Sequence, residues 1–255
     1  MPDSLSSMGR ALVSQPIAVT LAAIVTVSAI FLVAPGIDLW FSSLFYRSGQ
    51  FFLGGNPELV VFRRSSEVIV FSIAGLLIAQ VVVKLLRPEA PSLVPPASTL
   101  FLLSTLALAP GILVNAILKS NWGRPRPPMI GQFGGPFPYV DVWQISDYCV
   151  RNCSFVSGEA SSAIWLTALA FVVPRRWRVP VAVLAGVYAF LISLNRIAFG
   201  GHFVSDVILA WGLTFLVILV VRRVVLEKPP TWLSDARLEA GLTTLGRRLR
   251  GKSRS

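Results

Sequence analysis

The segment RIAFGGHFVSDVILAWGLTFLVILVV, residues 196–221, joins a long apolar run to the only histidine of the chain. Asp206 carries the only charge between residues 203 and 221, and about 20 apolar residues suffice to cross a bilayer as a helix. Further apolar runs cover residues 17–34, 68–86, 99–118, 160–173 and 180–194. The sequence therefore predicts an all-α fold, a bundle of six transmembrane helices.

The composition excludes an ordinary water-soluble domain. Hydrophobic residues make up 54% of the 255 residues and charged residues only 14%, and the mean hydropathy is +0.70. Soluble domains carry about a quarter charged residues. The chain is expected to be a membrane protein.

The net charge of +11 lies mostly in short loops and in the tail beside apolar runs. This distribution favours contact with anionic membrane lipids, and we expect no nucleic acid partner. An arrangement with both termini in the cytoplasm places 15 of the 23 basic residues on the cytoplasmic side. Those residues are Arg10, Lys84, Arg87, Arg175, Arg176, Arg178, Arg222, Arg223, Lys228, Arg237, Arg247, Arg248, Arg250, Lys252 and Arg254.

The tail, residues 230–255, is expected to be distinct from the six-span domain, residues 1–229. Large apolar residues recur in it at near-helical spacing: Trp232, Leu238, Leu242, Leu245 and Leu249. This pattern is typical of an interfacial amphipathic helix, here followed by a disordered basic stub. The alternative is that the basic residues serve only as a topology signal.

His202 has Asp206 four residues after it, one helical turn away. A carboxylate at this spacing can hold one imidazole nitrogen by a hydrogen bond and leave the other nitrogen able to act as a nucleophile. The alternative is a histidine that merely satisfies local hydrogen bonds at the start of an apolar helix.

Three segments meet at the outer end of the predicted bundle: residues 119–127, 154–160 and 195–206. Lys119, Arg126 and Arg196 can together neutralise a phosphoryl group as it becomes a pentavalent transition state. Ser157 and Gly158 precede a helix whose first amides can bind an anion, although such a pair is commonly only a helix cap. Ionisable groups gathered at one membrane level indicate a functional site.

In combination these segments resemble the type 2 phosphatidic acid phosphatase superfamily, which also contains vanadium haloperoxidases. The resemblance rests on Lys119 with Arg126-Pro127 after six residues, the Ser157-Gly158 pair, and Arg196 followed by His202 and Asp206. It implies a metal-independent phosphatase with a phosphohistidine intermediate.

Carried over by position, the resemblance makes His202 the nucleophile and Asp206 the residue that orients it. Lys119, Arg126, Ser157, Gly158 and Arg196 would hold the phosphoryl oxygens. Arg124, two residues before Arg126, could assist.

Three positions depart from the family pattern. Val156 replaces a proline, Glu159 stands where the family has the histidine that protonates the leaving oxygen, and Asn195 replaces a serine. A buried glutamic acid can act as a general acid, although the neighbouring cations oppose its protonation. The chain is thus an enzyme with an acidic optimum, an enzyme that acts on a good leaving group, or an inactive anion binder, and we expect an active enzyme.

Cys149 and Cys153 lie four residues apart in the loop before Ser157. In an oxidising periplasm they can form a disulfide, and the alternative is two free thiols. We expect no metal and no cofactor, because the sole histidine is otherwise employed and no second cysteine pair exists.

The sequence thus predicts a lipid phosphatase of the bacterial inner membrane with its active site facing the periplasm. Candidate substrates are phosphatidic acid, phosphatidylglycerophosphate, an isoprenyl diphosphate and lipid A, with lipid A or a diphosphate preferred because of Glu159. A lipid phosphotransferase using His202 and a non-catalytic phospholipid-binding protein are the alternatives. A haloperoxidase is disfavoured because those relatives are soluble. The oligomeric state is left open.

Overall fold

The structure is a computed structural model and describes residues 15–251. This range contains eight α-helices, and a short hairpin of strands β1 (Tyr46–Arg47) and β2 (Gln50–Phe51) lies between the second and third. The helices are α1 (Pro16–Val33), α2 (Gly36–Ser43), α3 (Pro57–Leu86), α4 (Pro96–Asn121), α5 (Gly158–Trp165), α6 (Arg178–Ala198), α7 (Val204–Arg222) and α8 (Asp235–Leu249). Short 3₁₀ turns cover Pro127–Met129, Gly131–Phe133, Arg175–Trp177 and Thr231–Leu233.

The predicted all-α transmembrane bundle is confirmed. Five helical segments within residues 15–251 are long and apolar enough to cross a membrane: Pro16–Val33, Pro57–Leu86, Pro96–Asn121, Arg175–Ala198 and Val204–Glu227. The sixth expected span corresponds to α5, which has 8 residues and continues as 6 residues of 3₁₀-helix, Leu166–Phe171. Because a 3₁₀-helix rises about 2.0 Å per residue, this segment extends over roughly 24 Å, slightly less than the hydrocarbon layer.

Helix α5 lies at the centre and packs against α3, α4, α6 and α7. Its small buried residues, including Ala160 and Ser161, let neighbouring backbones approach closely. The Ser161 hydroxyl lies 2.7 Å from that of Thr214, and the indole N–H of Trp165 donates to the Thr105 hydroxyl at 3.0 Å. A segment surrounded by protein can be shorter than a span that faces lipid.

The alternating helix directions give the bundle two chemically different ends. The end formed by the starts of α3, α5 and α7 and the last residues of α4 and α6 carries the three predicted segments, and we call it the motif end. The opposite basic end carries Arg87, Arg222 and the connector 174–178. The orientation predicted from the sequence assigns this basic end to the cytoplasmic side. Arg10, Lys252 and Arg254 of that prediction, and most of the predicted basic stub, lie outside the described residues.

Helix α8 forms where the sequence predicts an amphipathic tail helix, and it packs across the basic ends of α3 and α4. The buried Lys84 ammonium of α3 lies 2.6 Å from the Glu239 carboxylate. The Asp235 carboxylate accepts a hydrogen bond of 2.8 Å from the backbone N–H of Ala97, near the start of α4. The tail helix therefore contacts both helices directly.

Candidate active site

The three predicted segments lie together at the motif end, beside a cavity of about 810 Å³ between α3 and α4. Five of the predicted site residues line the cavity: Lys119, Arg126, Gly158, Glu159 and Arg196. Ser157, His202 and Asp206 are fully buried and are not among the lining residues. The structure thus brings all the predicted residues to one end of the bundle.

The cavity changes character along its depth. Its charged residues, Arg63, Glu67, Lys119, Arg126, Glu159 and Arg196, lie toward the motif end. Deeper in the bundle its walls are apolar, with Val70, Phe71, Ala74 and Ile78 from α3 and Leu103 and Leu106 from α4. This arrangement suits an amphiphile that has an anionic head and an apolar body.

Lys119 follows a π-helical segment of α4, Ala107–Leu118, that contains Pro110. Such wide turns occur often at functional sites. The Asn115 side-chain N–H₂ group donates to the Pro110 carbonyl at 2.6 Å. The Asn115 side chain also contacts Gly158, where an added Cβ would lie 2.6 Å from its amide oxygen. Glycine at this position therefore lets the start of α5 approach the lysine-bearing end of α4.

His202 is fully buried, and its Nδ1 lies 2.7 Å from the carbonyl oxygen of Ser154. A carbonyl can only accept, so Nδ1 carries the proton and Nε2 keeps its lone pair. Nε2 is buried and has no hydrogen-bond partner among residues 15–251. Burial, and then the charges of Arg196, Arg126 and Lys119, hold the pKa of His202 well below 6.5. This environment favours the neutral imidazole, in which the lone pair of Nε2 is free of any hydrogen bond within the described residues.

The sequence spacing predicts a hydrogen bond between His202 and Asp206, but Oδ2 of Asp206 lies 3.9 Å from Nδ1 of His202, which is too far for one. Oδ2 instead accepts hydrogen bonds from the Ser154 hydroxyl at 2.5 Å and from the Phe203 N–H at 2.9 Å. Since Ser154 also supplies the carbonyl that binds His202, Asp206 orients the imidazole through Ser154.

Asp206 belongs to a buried charge network that sequence reasoning missed. The fully buried Arg124 donates to Asp206 at 2.5 Å, to Ser205 at 2.9 Å, and to Asp38 and Tyr139 at 2.9 and 2.8 Å. Burial alone lowers the pKa of Arg124, but the Asp206 and Asp38 carboxylates outweigh it and raise that pKa above its ordinary value. Arg124 therefore supports Asp206 and does not line the cavity.

Glu159 is held by two guanidinium groups. Its Oε2 forms an ion pair with Arg196 Nε, and its Oε1 lies 3.6 Å from Nε of Arg63. Arg63 on α3 was also missed from the sequence, because its helix carries none of the three motifs. Gly201 makes room for this arrangement, since an added Cβ would lie 2.2 Å from Arg196 Nη2.

Cys149 and Cys153 form a disulfide in the structure. The loop that they close presents the Asn152 carbonyl, which accepts a hydrogen bond of 2.8 Å from Arg126 Nε. The pKa of Arg126 is lowered, chiefly by burial. The disulfide-closed loop thus positions one of the three predicted phosphate-binding cations.

Comparisons with known proteins point to one family. The sequence model of the PAP2 superfamily matches residues 98–230. A lipid A 4'-phosphatase of Rhizobium leguminosarum is 35% identical over 72% of this chain and 84% of its own length. A lipid A 4'-phosphatase of Francisella tularensis subsp. novicida is 32% identical over 78% of this chain and 90% of its own length.

Among solved structures, the crystal structure of a transmembrane PAP2-type phosphatidylglycerolphosphate phosphatase from Bacillus subtilis aligns with a TM-score of 0.56. The alignment covers 82% of this chain and 94% of the other, at 19% sequence identity. At this identity the similarity concerns the fold.

Proposed function

The chain belongs to the PAP2 superfamily and is a multi-pass membrane lipid phosphatase, and on this premise we propose that it dephosphorylates a lipid A-type phosphoglycolipid through a phosphohistidine intermediate. One observation carries the proposed mechanism. The Ser154 carbonyl fixes the His202 proton on Nδ1 and leaves Nε2 unprotonated beside the cations.

In the first step, the Nε2 lone pair of His202 attacks phosphorus, and the bond from phosphorus to the leaving oxygen breaks. Lys119, Arg126 and Arg196 hold the non-bridging oxygens and neutralise the charge that builds on them. Arg63, which lines the same cavity, provides a fourth cation. In the second step, water attacks the phosphohistidine, inorganic phosphate leaves and the imidazole is restored.

Asp206 is a positioning residue in this mechanism. It holds the Ser154 hydroxyl, and the Ser154 carbonyl holds His202. Its carboxylate also lies 3.9 Å from Nδ1, where it favours the positive charge that the ring acquires on phosphorylation.

Glu159 occupies the position of the general acid that protonates the leaving oxygen. Its ion pairs with Arg63 and Arg196 favour a second role, in which the carboxylate holds both guanidinium groups in place for the phosphoryl oxygens. In the first role a proton passes from Glu159 to the leaving oxygen. In the second role that proton comes from water.

The relatives and the cavity support this choice of substrate class. Two relatives that align over most of their length are lipid A 4'-phosphatases. The cavity places its cations above an apolar region, as a phosphorylated lipid requires. Membership of the superfamily implies hydrolysis without a metal, and we include this in the proposal.

The test is phosphate release by the purified protein in detergent with a chelator present. Substrates are lipid A with a 4'-phosphate, phosphatidic acid, phosphatidylglycerophosphate and an isoprenyl diphosphate. We expect the highest kcat/KM on lipid A, and a loss of about 10³-fold or more in His202→Ala. Arg126→Ala should lose roughly 10²-fold, whereas the exposed Arg151→Ala in the same loop is a matched control that should lose little.

Two outcomes contradict the proposal. Full activity of His202→Ala excludes the nucleophile, and loss of activity with chelator excludes the metal-independent reaction. Labelled phosphate on the protein after an alkaline quench, absent in His202→Ala, supports the phosphohistidine. Transfer of the label to a second lipid in place of water would indicate a phosphotransferase.

A further inference from the structure

Glu67 is a carboxylate of the membrane-spanning helix α3 that the mechanism above does not use. Its side chain is not buried by other parts of the protein, and it lines the 810 Å³ cavity. Within residues 15–251 it has neither a hydrogen bond nor an ion pair, although it interacts electrostatically with Lys119. An ionisable group at membrane depth is energetically unfavourable and usually has a function. We therefore expect Glu67 to contact a ligand.

The position of Glu67 along α3 identifies the part of a lipid that it faces. It follows Arg63 by four residues, so both lie on the same face of the helix, about 6 Å apart along the axis. Arg63 lies at the level of Glu159, beside the phosphate-binding cations. Beyond Glu67 the same helix lines the cavity with Val70, Phe71 and deeper apolar residues. Glu67 thus marks the boundary between the polar and apolar parts of the cavity.

When the phosphate of a lipid is held by the cations, this boundary receives the groups that join the headgroup to its acyl chains. In a diacylglycerol phosphate those groups are esters, which only accept hydrogen bonds. In an N-acylated amino sugar they include an amide N–H, and hydroxylated acyl chains add an O–H. A carboxylate only accepts, so it pairs with these donors and repels ester oxygens.

From this geometry we propose that Glu67 is a specificity-determining residue that selects phospholipids with a hydrogen-bond donor at the headgroup–acyl junction. The inference rests on the proposed function, because it concerns the substrate of the same cavity. A donor-bearing substrate gains a charge-assisted hydrogen bond to Glu67. An ester substrate gains no such bond to offset the repulsion between the carboxylate and the phosphate, which both kinds of substrate experience.

The test uses two substrates that differ at one linkage and carry no free hydroxyl on the linker: an O-acyl ethylene glycol phosphate and the matching N-acyl ethanolamine phosphate. Phosphate release is measured in mixed micelles with chelator, as kcat/KM. We expect the wild-type protein to prefer the amide on the order of 10-fold. Glu67→Leu should remove this preference by slowing the amide substrate while the ester substrate is unchanged or faster. Glu67→Gln, which keeps an acceptor of the same size, should retain part of the preference.

Glu58→Leu is the matched control, because Glu58 is an exposed glutamate of α3 that does not line the cavity. It should leave the preference intact. The inference is wrong if the wild-type protein is active but treats both substrates alike, or if Glu67→Leu slows both by the same factor. If the wild-type protein releases no phosphate from these two substrates or from lipid A, the proposed function itself fails and the inference fails with it.

Discussion

Replacing Arg124 with methionine is expected to be among the most damaging single changes at the motif end. Its guanidinium lies between two fully buried carboxylates, at 2.5 Å from Asp206 and 2.9 Å from Asp38. Removing one partner of a buried ion pair costs about 3–5 kcal/mol. Because this change leaves two carboxylates without their cation, we expect a loss of about 5 kcal/mol, a third or more of the stability of a typical domain.

The assay is unfolding of the purified protein in mixed micelles with increasing denaturing detergent, together with phosphate release. Asp38→Asn alone should cost less, since Arg124 keeps Asp206. The double variant Arg124→Met/Asp38→Asn should lose roughly 1.5–3 kcal/mol less stability than the sum of the two single losses. The reason is that a neutral asparagine at position 38 is no longer a buried charge left without Arg124. Arg64→Met, at an exposed arginine of α3, is the control and should stay within about 0.5 kcal/mol of wild type. Additive losses, or a loss below about 1 kcal/mol in Arg124→Met, would refute the reasoning.

Four further predictions concern the site. Because the pKa of His202 lies below 6.5, the proposed nucleophile stays neutral in mild acid. The decrease of kcat/KM on the acidic side should therefore begin only below pH 6.5, and a decrease that begins above this pH contradicts the prediction. The unfolded histidine does take up a proton near pH 6.5, so stability should decline as pH falls from 6.5 toward the folded pKa. Glu159→Gln should slow poor leaving groups more than good ones if Glu159 is the general acid, and all of them equally if it only holds the arginines. Cys149→Ser should raise KM several-fold, because the loop that orients Arg126 becomes less rigid. Reducing the disulfide of the wild-type protein should raise KM in the same way, and an unchanged KM would contradict the prediction.

Much of the fold could be predicted from the sequence, and so could the location of the proposed site residues at one end of the bundle. Membrane spans are visible because each needs its own apolar run, and the three motifs give the order in which the cations and His202 follow one another. The length of α5 was harder to judge from its composition. Small residues such as Ala160 and Ser161 allow a central helix to be short, but only the packing around it shows that it is central.

The residues that support the site could not be predicted from the sequence, for a different reason. Ser154 orients His202 through its backbone carbonyl, which every residue type possesses, so no pattern could identify it. In the sequence, Arg63 and Arg124 are only two further basic residues. The structure shows that Arg63 faces Glu159 and that Arg124 faces Asp206. Asp38 did offer a signal, since it is an acidic residue in a largely apolar, aromatic stretch.

The docking of α8 has a consequence for how the protein is handled. Helices α3 and α4, which line the cavity, are held together at the basic end by the contacts of α8 through Glu239 and Asp235. Shortening the carboxyl end, a common step in preparing membrane proteins, would remove these contacts and leave every proposed phosphate-binding residue in place. Kinetic constants measured on a shortened chain would then describe a cleft of altered width.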